Sequence, residues 1–375
     1  MRIVHVTDCY LPRLGGIERQ VHDLAIRQLA AGHDVEVITS VRGTGNDADS
    51  AVRVHRPRGA RGAPTSVLYG SSWSQRDQVL SGAFDVVHIH ASTMSPMAFL
   101  AAGAASRAGI PTVITAHSLW AYASPIFAAA DAILEWRDWP LVWSAVSTAA
   151  VEPLRRMLPA STPISVLPNG VDADAWRVPR RARRPDRIVV ASVMRLAARK
   201  RPRQLLGMLR AARGQVPASI RMEAVIVGDG PQRAALQRYL DRHRMGDWTT
   251  LTGAADHARI RTIFADSDFY VAPAVLESFG IAALEAHCSG LPVVAHANSG
   301  IRDFIAHGDS GLLAVSDEDM VSCITRLVRS PDELDRLSGR VANGRLPTSW
   351  PSILGRCEQL YDQARLVVGH QRQPQ

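Results

Sequence analysis

Lysine is nearly missing from this chain. Its 375 residues include 43 lysines and arginines, and Lys200 is the sole lysine. Where arginine is the default cation, a lysine that survives singles out its position. An ammonium is a compact, flexible point charge, whereas the guanidinium is a planar fork. Cysteine is also sparse. Cys9, Cys288, Cys323 and Cys357 are scattered with no Cys-x-x-Cys pair, so the expectation is a reduced, cytoplasmic compartment. No apolar run approaches the ~18 residues that cross a bilayer. The chain passes from Arg2 straight into a short apolar stretch and then polar Thr7 and Asp8, which does not read as a signal peptide. Helix-turn-helix, zinc-finger and aromatic RNA-binding signatures are missing, which makes nucleic acid the weakest candidate partner. So is the Gly-x-Gly-x-x-Gly fingerprint, which argues against a nicotinamide-dependent dehydrogenase.

What is present is ordinary globular composition, 46% hydrophobic and 21% charged, in a chain longer than one core usually serves. The net charge of +8 points to an anionic partner. Strand-length apolar runs alternate with helical periodicity. Ile3 to Val6, Val35 to Ile38, Val86 to Ile89, Val113 to Thr115 and Ile164 to Leu167 read as strands. Ile17 to Leu29 reads as a helix with Val21, Leu24, Ala25 and Leu29 on one face. After a basic, proline-containing break, RVPRRARRPD, the alternation restarts at Ile188 and runs through Ala224 to Val227, Phe269 to Val271 and Val293 to Ala295. An alternation of this kind predicts parallel sheets with helices on both faces. The expected organisation is an α/β chain with a first domain over 1–171, a linker over 172–186 and a second domain over 187–348. A closing helix over 349–367 and a disordered tail over 368–375 complete it.

The most informative segment is LESFGIAALEAHCSG, residues 276–290. Glu277 follows a β-like run and Glu285 comes eight positions later, with helix-forming residues from Gly280 onward. In a regular helix that spacing is roughly 12 Å, too far for a glycosidase carboxylate pair at about 5–9.5 Å. It suits two grips on one elongated ligand, with the amides of Phe279, Gly280 and Ile281 between them at a helix N-terminus that favours an anion. Carboxylate, anion site, carboxylate matches sugar, diphosphate, ribose. The alternative is an amphipathic helix with two solvated glutamates. Lys200 lies in SVMRLAARKRP, five residues beyond Arg195 and just after a β-like run. A strand followed by a loop with two cations is where an open α/β sheet meets its ligand. The alternative is a solvated charge among Arg199 and Arg201.

These segments together resemble the family 4 glycosyltransferases of the GT-B fold. The resemblance rests on MRIVHVTDCYLPRLGGIERQV at the start, DVVHIHAS at 85–92, TAHS at 115–118, LPNGVDADAW at 167–176 and IVGDGP at 226–231. It ends on the Glu-(any seven)-Glu segment, which continues into GLPVVAHANSGIRDFI. It implies two doubly wound Rossmann-like domains facing an interdomain cleft. The implied activity is retaining transfer of a hexose, of mannose or glucose type, from a nucleotide diphosphate sugar to an acceptor hydroxyl. Arg195 and Lys200 would hold the diphosphate, Glu277 the sugar hydroxyls and Glu285 the ribose. The amides from Phe279 through Gly280 to Ile281 would take the distal phosphate. Gly15 and Gly16 in the first loop, where glycine lets amides approach a phosphate, and His117 at the end of VITAHS would complete the site from the other domain. The catalytic candidates are thus His117, Arg195, Lys200 and Glu277. The resemblance implies no metal and no further cofactor, the leaving phosphate itself taking the acceptor proton. It implies an acceptor that is a sugar, a glycan or a lipid-linked molecule. Two positions depart from the family: Met194 stands where glycine commonly precedes the arginine, and Arg201 where glycine commonly follows the lysine.

Other features have bland readings beside functional ones. Gly15 and Gly16 also suit a simple turn, and His117 an interior histidine. His88 and His90 face one side of a strand as a metal pair would, yet no third ligand is evident in the sequence. Trp136, Trp139 and Trp143 fall at helical spacing, with Trp120 upstream, and read as core before lipid contact. Basic stretches at 53–61 and 177–184 suit peripheral contact with an anionic inner membrane leaflet, or simple solvation. Two other functions share this pattern: a nucleotide-sugar epimerase of the same fold, and a nucleotide-sugar-binding protein without catalysis.

Overall fold

The computed structural model describes residues 1–13, 15–43, 51–57, 70–93, 95–120, 136–181, 184, 186–344 and 348–371. The chain divides into two compact units, Met1–Gly170 with Trp350–Gln375, and Val171–Ser349.

Among the described residues the first unit is built on seven strands: β1 (Arg2–Thr7), β2 (Asp34–Thr39), β3 (Arg53–His55), β4 (Val86–Ala91), β5 (Thr112–Ala116), β6 (Val142–Ala145) and β7 (Ile164–Val166). They pair in the order β3-β2-β1-β4-β5-β6-β7, every pairing parallel. The order reverses between β1 and β4, and ligands of such sheets bind outside the carboxyl ends of the strands at that point. One face carries apolar side chains: Ile3, Val35, Val86 and Val113 share a core with Leu24 and Ala25 of helix Gly16–Ala30. Helix Trp350–Gln371, the last of the chain, joins this unit through buried Ile353, Cys357, Leu360, Tyr361 and Ala364. The Trp350 ring lies where a side chain at Gly170 would sit, 2.6 Å from its Cβ.

The second unit repeats the theme with β8 (Arg187–Val193), β9 (Arg221–Val227), β10 (Thr249–Gly253), β11 (Phe269–Ala272), β12 (Val293–His296) and β13 (Gly311–Ala314). The order is β10-β9-β8-β11-β12-β13, again parallel throughout, with the reversal between β8 and β11. Its core joins Ile188, Val190, Phe269 and Val271 to Leu205 and Leu209 of helix Pro202–Arg213 and to Ile324 and Leu327 of helix Asp317–Arg329. Both units are Rossmann-like parallel sheets with helices, as the alternation of strands and helices predicts.

Three expectations change. Residues 172–181, expected as part of a linker, are built into the second unit. Asp172 caps helix Ala173–Trp176 by accepting from Ala175 N at 3.2 Å, and buried Trp176 packs against His257 and Phe264. Arg180 donates to the carbonyls of Ser267 and Gly290, both at 2.8 Å. A guanidinium offers five donors, and here it serves carbonyls of its own unit instead of solvent. Residues 368–371, expected to be disordered, continue the last helix to Gln371, with Val368 still buried; 372–375 lie outside the described residues. The helical spacing of the tryptophans does not mark a helix. Trp136 opens a short 3-10 turn and Trp143 lies in β6, and both rings are buried against each other at 5.7 Å. Trp120 joins them, edge-on to Trp143 at 6.3 Å, so the core reading holds. The basic stretches at 53–61 and 177–184 lie partly outside the described residues, at 58–61 and at 182 and 183.

Candidate active site

In the second unit, the candidate residues stand beyond the carboxyl ends of β8 and β11, the strands that flank the reversal of order. The chain leaving β8 is held by the neighbouring glycine loop. Met194 N donates to Val227 O at 3.0 Å, Leu196 N to Asp229 O at 2.9 Å, and Gln232 N to Leu196 O at 2.9 Å. This approach is possible only over glycine. A Cβ at Gly228, whose φ is +138°, would stand 1.8 Å from the Met194 carbonyl oxygen. Between these anchors Arg195 is exposed, and the turn Ala198–Lys200 follows.

Lys200 donates through Nζ to Glu277 Oε2, with a quarter or less of either side chain exposed. The two residues are 77 positions apart in sequence, and the ends of β8 and β11 bring them together. A half-buried pair of this kind offsets its own desolvation, and removing one partner leaves the other charge uncompensated. Glu277 is fixed by its backbone as well, its carbonyl accepting from Gly300 N at 2.8 Å. Phe279 is buried against Phe304 at 5.5 Å. Gly280 has φ +91°, a left-handed conformation, and a Cβ there would come within 2.6 Å of Ile301 Cγ1.

The helix proper starts at Ile281, and its N-cap residue, Gly280, offers no side chain to cap it. Its first turn closes with Leu284 N to Gly280 O at 3.0 Å, and the preceding amides have no intrahelical acceptor by geometry. The spacing worked for a regular helix therefore applies only from Ile281 to Glu285, since residues 277–280 form a loop. Glu285 lies half-buried just over one turn inside.

Arg201, marked in the sequence only as a departure from the family pattern, supports this arrangement together with Asp317, His296 and Tyr270, which sequence reasoning did not single out. Arg201 has φ 57°, in the left-handed region. Its guanidinium forks onto Asp317 at 2.9 and 2.6 Å, donates to Pro273 O at 3.1 Å and meets His296 Nε2 at 3.1 Å. Arg201 holds the Asp317 carboxyl below the usual carboxylate range, chiefly through this hydrogen bond. Burial, with Arg201 adding to it, lowers the pKa of His296. Tyr270 donates its phenol to Val193 O at 2.9 Å, tying β11 to the end of β8. Burial raises that phenol, and the nearby charges of Glu277 and Glu285 raise it further. No short-range sequence signal marks any of these contacts, whose partners are 72 to 116 positions apart.

In the first unit, Gly15 and Gly16 are exposed at the start of helix Gly16–Ala30. Gly15 is extended, with φ −177°, and makes no side-chain cap. His117 follows β5, its N–H donating to Ala91 O at the end of β4 at 2.8 Å. Its ring is buried and its pKa is pulled down to about 4 by burial. His88 and His90 do face one side of β4, and the structure supplies the neighbour the sequence did not reveal. His5 of β1 lies beside them, the three close enough together to be a metal trio by proximity. Their nitrogens, however, are engaged in hydrogen bonds with one another and with Gln28, Tyr361, Thr115 and His117.

Comparison with known proteins agrees with the two-part build. A model described as Glycosyltransferase Family 4 matches residues 14–175, and one described as Glycosyl transferases group 1 matches residues 176–343. The chain belongs to the family 4 glycosyltransferases. It is a glycosyltransferase. Among its relatives is a GDP-mannose-dependent alpha-mannosyltransferase from Mycobacterium tuberculosis (strain CDC 1551 / Oshkosh). It is 28% identical over 401 residues, covering 98% of this chain and 97% of that protein. A phosphatidylinositol N-acetylglucosaminyltransferase subunit from Homo sapiens is 25% identical over 387 residues, 96% of this chain and 75% of that protein. Among solved structures, Anabaena Alr3699/HepE in complex with UDP and glucose superposes with a TM-score of 0.74 at 18% identity, covering 96% of this chain and 99% of that one. Sucrose-phosphate synthase from Thermosynechococcus elongatus gives 0.76 at 19% identity, covering 97% and 99%. At these identities the structures speak to the fold.

Proposed function

We propose that this glycosyltransferase is a retaining hexosyltransferase, moving a mannose- or glucose-type sugar from a nucleoside diphosphate to an acceptor hydroxyl. In this reading the second unit takes the donor. Arg195 and Lys200 hold the diphosphate and stabilise the charge that develops on it as the glycosidic bond breaks, an electrostatic role of the oxyanion-hole kind. The amides opening helix Ile281–Cys288 take the distal phosphate, Glu277 binds sugar hydroxyls and Glu285 the ribose. The leaving phosphate takes the acceptor proton, so no enzymic nucleophile is required. Cationic charge at the diphosphate comes from the two side chains and no metal is invoked. The observation that carries the reading is the Lys200–Glu277 contact at the reversal of strand order, beside a helix N-terminus whose N-cap residue is Gly280. A cation and a carboxylate in contact there offer one anchor for phosphate and one for hydroxyls, with the pair's charge balanced until a diphosphate competes for the ammonium.

Support for a nucleotide sugar also comes from the Anabaena protein, solved with UDP and with UDP-glucose. Support for an acceptor at a membrane comes from relatives that act on phosphatidylinositol or its mannosides, by their names. The test is a panel of GDP-, UDP- and ADP-sugars in a thermal-shift assay, followed by titration calorimetry of the stabilising nucleotide against Arg195→Ala and Lys200→Ala. Both variants are expected to bind the diphosphate more weakly by on the order of tenfold or more, the loss of a charge-assisted hydrogen bond. Wild-type affinity in both would sink the assignment. Product that forms only with an acceptor present separates transfer from epimerisation.

A further inference from the structure

Positive charge is spread unevenly over the second unit. Helices Pro202–Arg213 and Arg233–Arg242, which follow β8 and β9, carry six arginines against one aspartate. Helices Asp317–Arg329 and Pro331–Asn343 of the same unit carry four arginines against six carboxylates. The first pair therefore holds a net +5, against +8 for the whole chain, and the second pair a net −2.

The two sets of arginines are also held differently. Arg326 and Arg336 meet Glu333, and Arg340 meets Asp309. Among the described residues, none of the six arginines on the basic helices meets a carboxylate. Asp241, the lone acid there, accepts from Gln237 at 3.0 Å instead. The basic helices turn to neutral groups. Arg203 Cζ lies 5.4 Å from the centre of the Tyr239 ring, which packs on His243 with ring centres 4.3 Å apart. Arg210 Nη1 donates to His243 Nδ1 at 3.0 Å. Arg213 lies over Trp248 at 5.3 Å and donates to Met222 O at 3.1 Å. Desolvation, and then the charges of Arg210, Arg242 and Arg203, lower the pKa of His243. Arg238 and Arg242, four apart on one helix, repel each other as well.

Such crowding of like charge opposes folding unless an anion from outside answers it. The face is open to one, since Arg203, Arg210, Arg238 and Arg242 are all exposed. Arg203 and Arg210 stand two turns apart, about 10 Å along their helix, and the neighbouring helix adds a second row. Cations spread this far suit a surface bearing many separate anions better than one small ligand. Stacking of nucleic-acid bases is disfavoured, because Arg203 and His243 already pack on Tyr239, and Arg213 on Trp248. Among the described residues, the large apolar side chains that are exposed are Leu80, Leu100, Val315 and Leu366, and none lies on these two helices. Contact here would be made at charged headgroups, without insertion.

We propose that the exposed face of helices Pro202–Arg213 and Arg233–Arg242 docks on an anionic lipid bilayer. Guanidinium–phosphate hydrogen bonds add to the attraction of charge. The face belongs to the second unit alone, and lipid binding there is independent of the donor sugar, its contacts and the acceptor. It borders the candidate diphosphate loop, since helix Pro202–Arg213 starts two residues after Lys200.

Sedimentation of the full-length protein with vesicles of phosphatidylcholine and phosphatidylglycerol tests this, beside phosphatidylcholine alone. Each cation near an anionic surface strengthens partitioning about fivefold. Neutralising three, by Arg203→Gln, Arg210→Gln and Arg242→Gln together, is expected to weaken binding on the order of a hundredfold. Arg259→Gln, Arg336→Gln and Arg340→Gln together remove the same charge from other helices of the unit. That control is expected to weaken binding only a few fold, the effect of net charge under screening. Wild-type binding in the first triple variant overturns the assigned face, and so does equal weakening in both. Phenylglyoxal modification of the wild-type protein needs no variant to fold. Anionic vesicles are expected to protect Arg203, Arg210 and Arg242 while Arg259 and Arg340 stay reactive, and equal reactivity of all five with and without vesicles overturns the face. A wild-type protein that ignores anionic vesicles at low salt, or prefers an RNA oligonucleotide to them, overturns the lipid assignment.

Discussion

Mild acid should destabilise the first unit far more than the second. His5, His88, His90 and His117 are buried there, and burial lowers the pKa of each, to about 4 for His5 and His117 and well below 6.5 for His88 and His90. The sign follows from proton counting. In the unfolded chain these rings titrate near 6.5, whereas in the folded unit His5 and His117 stay neutral until pH approaches about 4 and His88 and His90 stay neutral well below 6.5, so below 6.5 the unfolded state binds more protons. Stability is complete above pH 6.5 and falls as pH drops toward the folded pKa. At pH 5.5 each ring lies one unit below its unfolded value and costs about 1.4 kcal/mol. Four rings together cost on the order of 5 kcal/mol, a large part of the ~5–15 kcal/mol typical of a domain. In the second unit His287 is the deeply buried counterpart, its pKa also lowered to about 4 by burial. Half-buried His296 is lowered as well. Paired carboxylates such as Glu36 act at lower pH, and Asp8, raised by burial, acts with the opposite sign.

Urea unfolding at pH 7.5 and 5.5 measures the difference. A brief jump to a common pH allows pulsed alkylation of Cys9 and Cys357 in the first unit and of Cys288 and Cys323 in the second. For a urea slope of ~2 kcal/mol/M, the Cys9 and Cys357 midpoints should fall by roughly 2–3 M, and the other two by much less. Unchanged midpoints for Cys9 and Cys357 would refute the neutral histidine network, as would equal shifts in both units.

Glu285→Ala should weaken binding of free nucleotide, whereas Glu277→Ala should spare it and weaken the nucleotide sugar; calorimetry showing equal loss of free nucleotide in both would rule out the ordered grip on ribose and sugar. On the proposal that Arg195 and Lys200 supply the charge at the diphosphate, transfer should survive EDTA, and loss restored by a divalent ion would overturn that assignment. Arg201→Ala should lower stability by about 1–3 kcal/mol through lost charge-assisted hydrogen bonds at a part-exposed pair, read from chemical denaturation. The protein should co-sediment with anionic vesicles at low salt and leave them as salt rises; equal binding to neutral vesicles would point to apolar contact instead, and no binding would favour a soluble acceptor.

The parallel sheets were legible because their strands are nearly continuous valine and isoleucine runs separated by helical periodicity. Val86 to Ile89 and Val293 to Ala295 are examples, lying within β4 and β12. The chain entering the second unit was harder to read, for a physical reason. Polar, basic residues look solvated in sequence, and Arg180 turns its donors onto the carbonyls of Ser267 and Gly290 instead. The tryptophans misled by period. Spacing of three and four residues is helical only if the backbone is, and here Trp136 lies in a 3-10 turn, Trp143 in a strand and Trp139 in the chain between them. The histidine network had a visible trace in the alternation of His88 and His90, but its third ring arrives from β1 and its tyrosine from the last helix. Only the fold joins positions 273 residues apart.

Arg201 shows how a departure from a family pattern is absorbed. The backbone after Lys200 needs a left-handed residue, with φ 57° and Pro202 next, which explains why glycine suits the position. Arginine there costs on the order of 1–3 kcal/mol in backbone strain. The fork onto Asp317 and the bond to Pro273 O offset that cost with hydrogen bonds glycine lacks. Because Asp317 and His296 engage its guanidinium, Arg201 is not a third loose cation beside Lys200. The charge near the diphosphate candidates stays that of Arg195 and Lys200, and the larger side chain is stored against helix Asp317–Arg329. Met194 is accommodated on the same principle. Its side chain packs on the core while its carbonyl rests against Gly228, so the glycine the loop requires stands on the opposite strand of the contact.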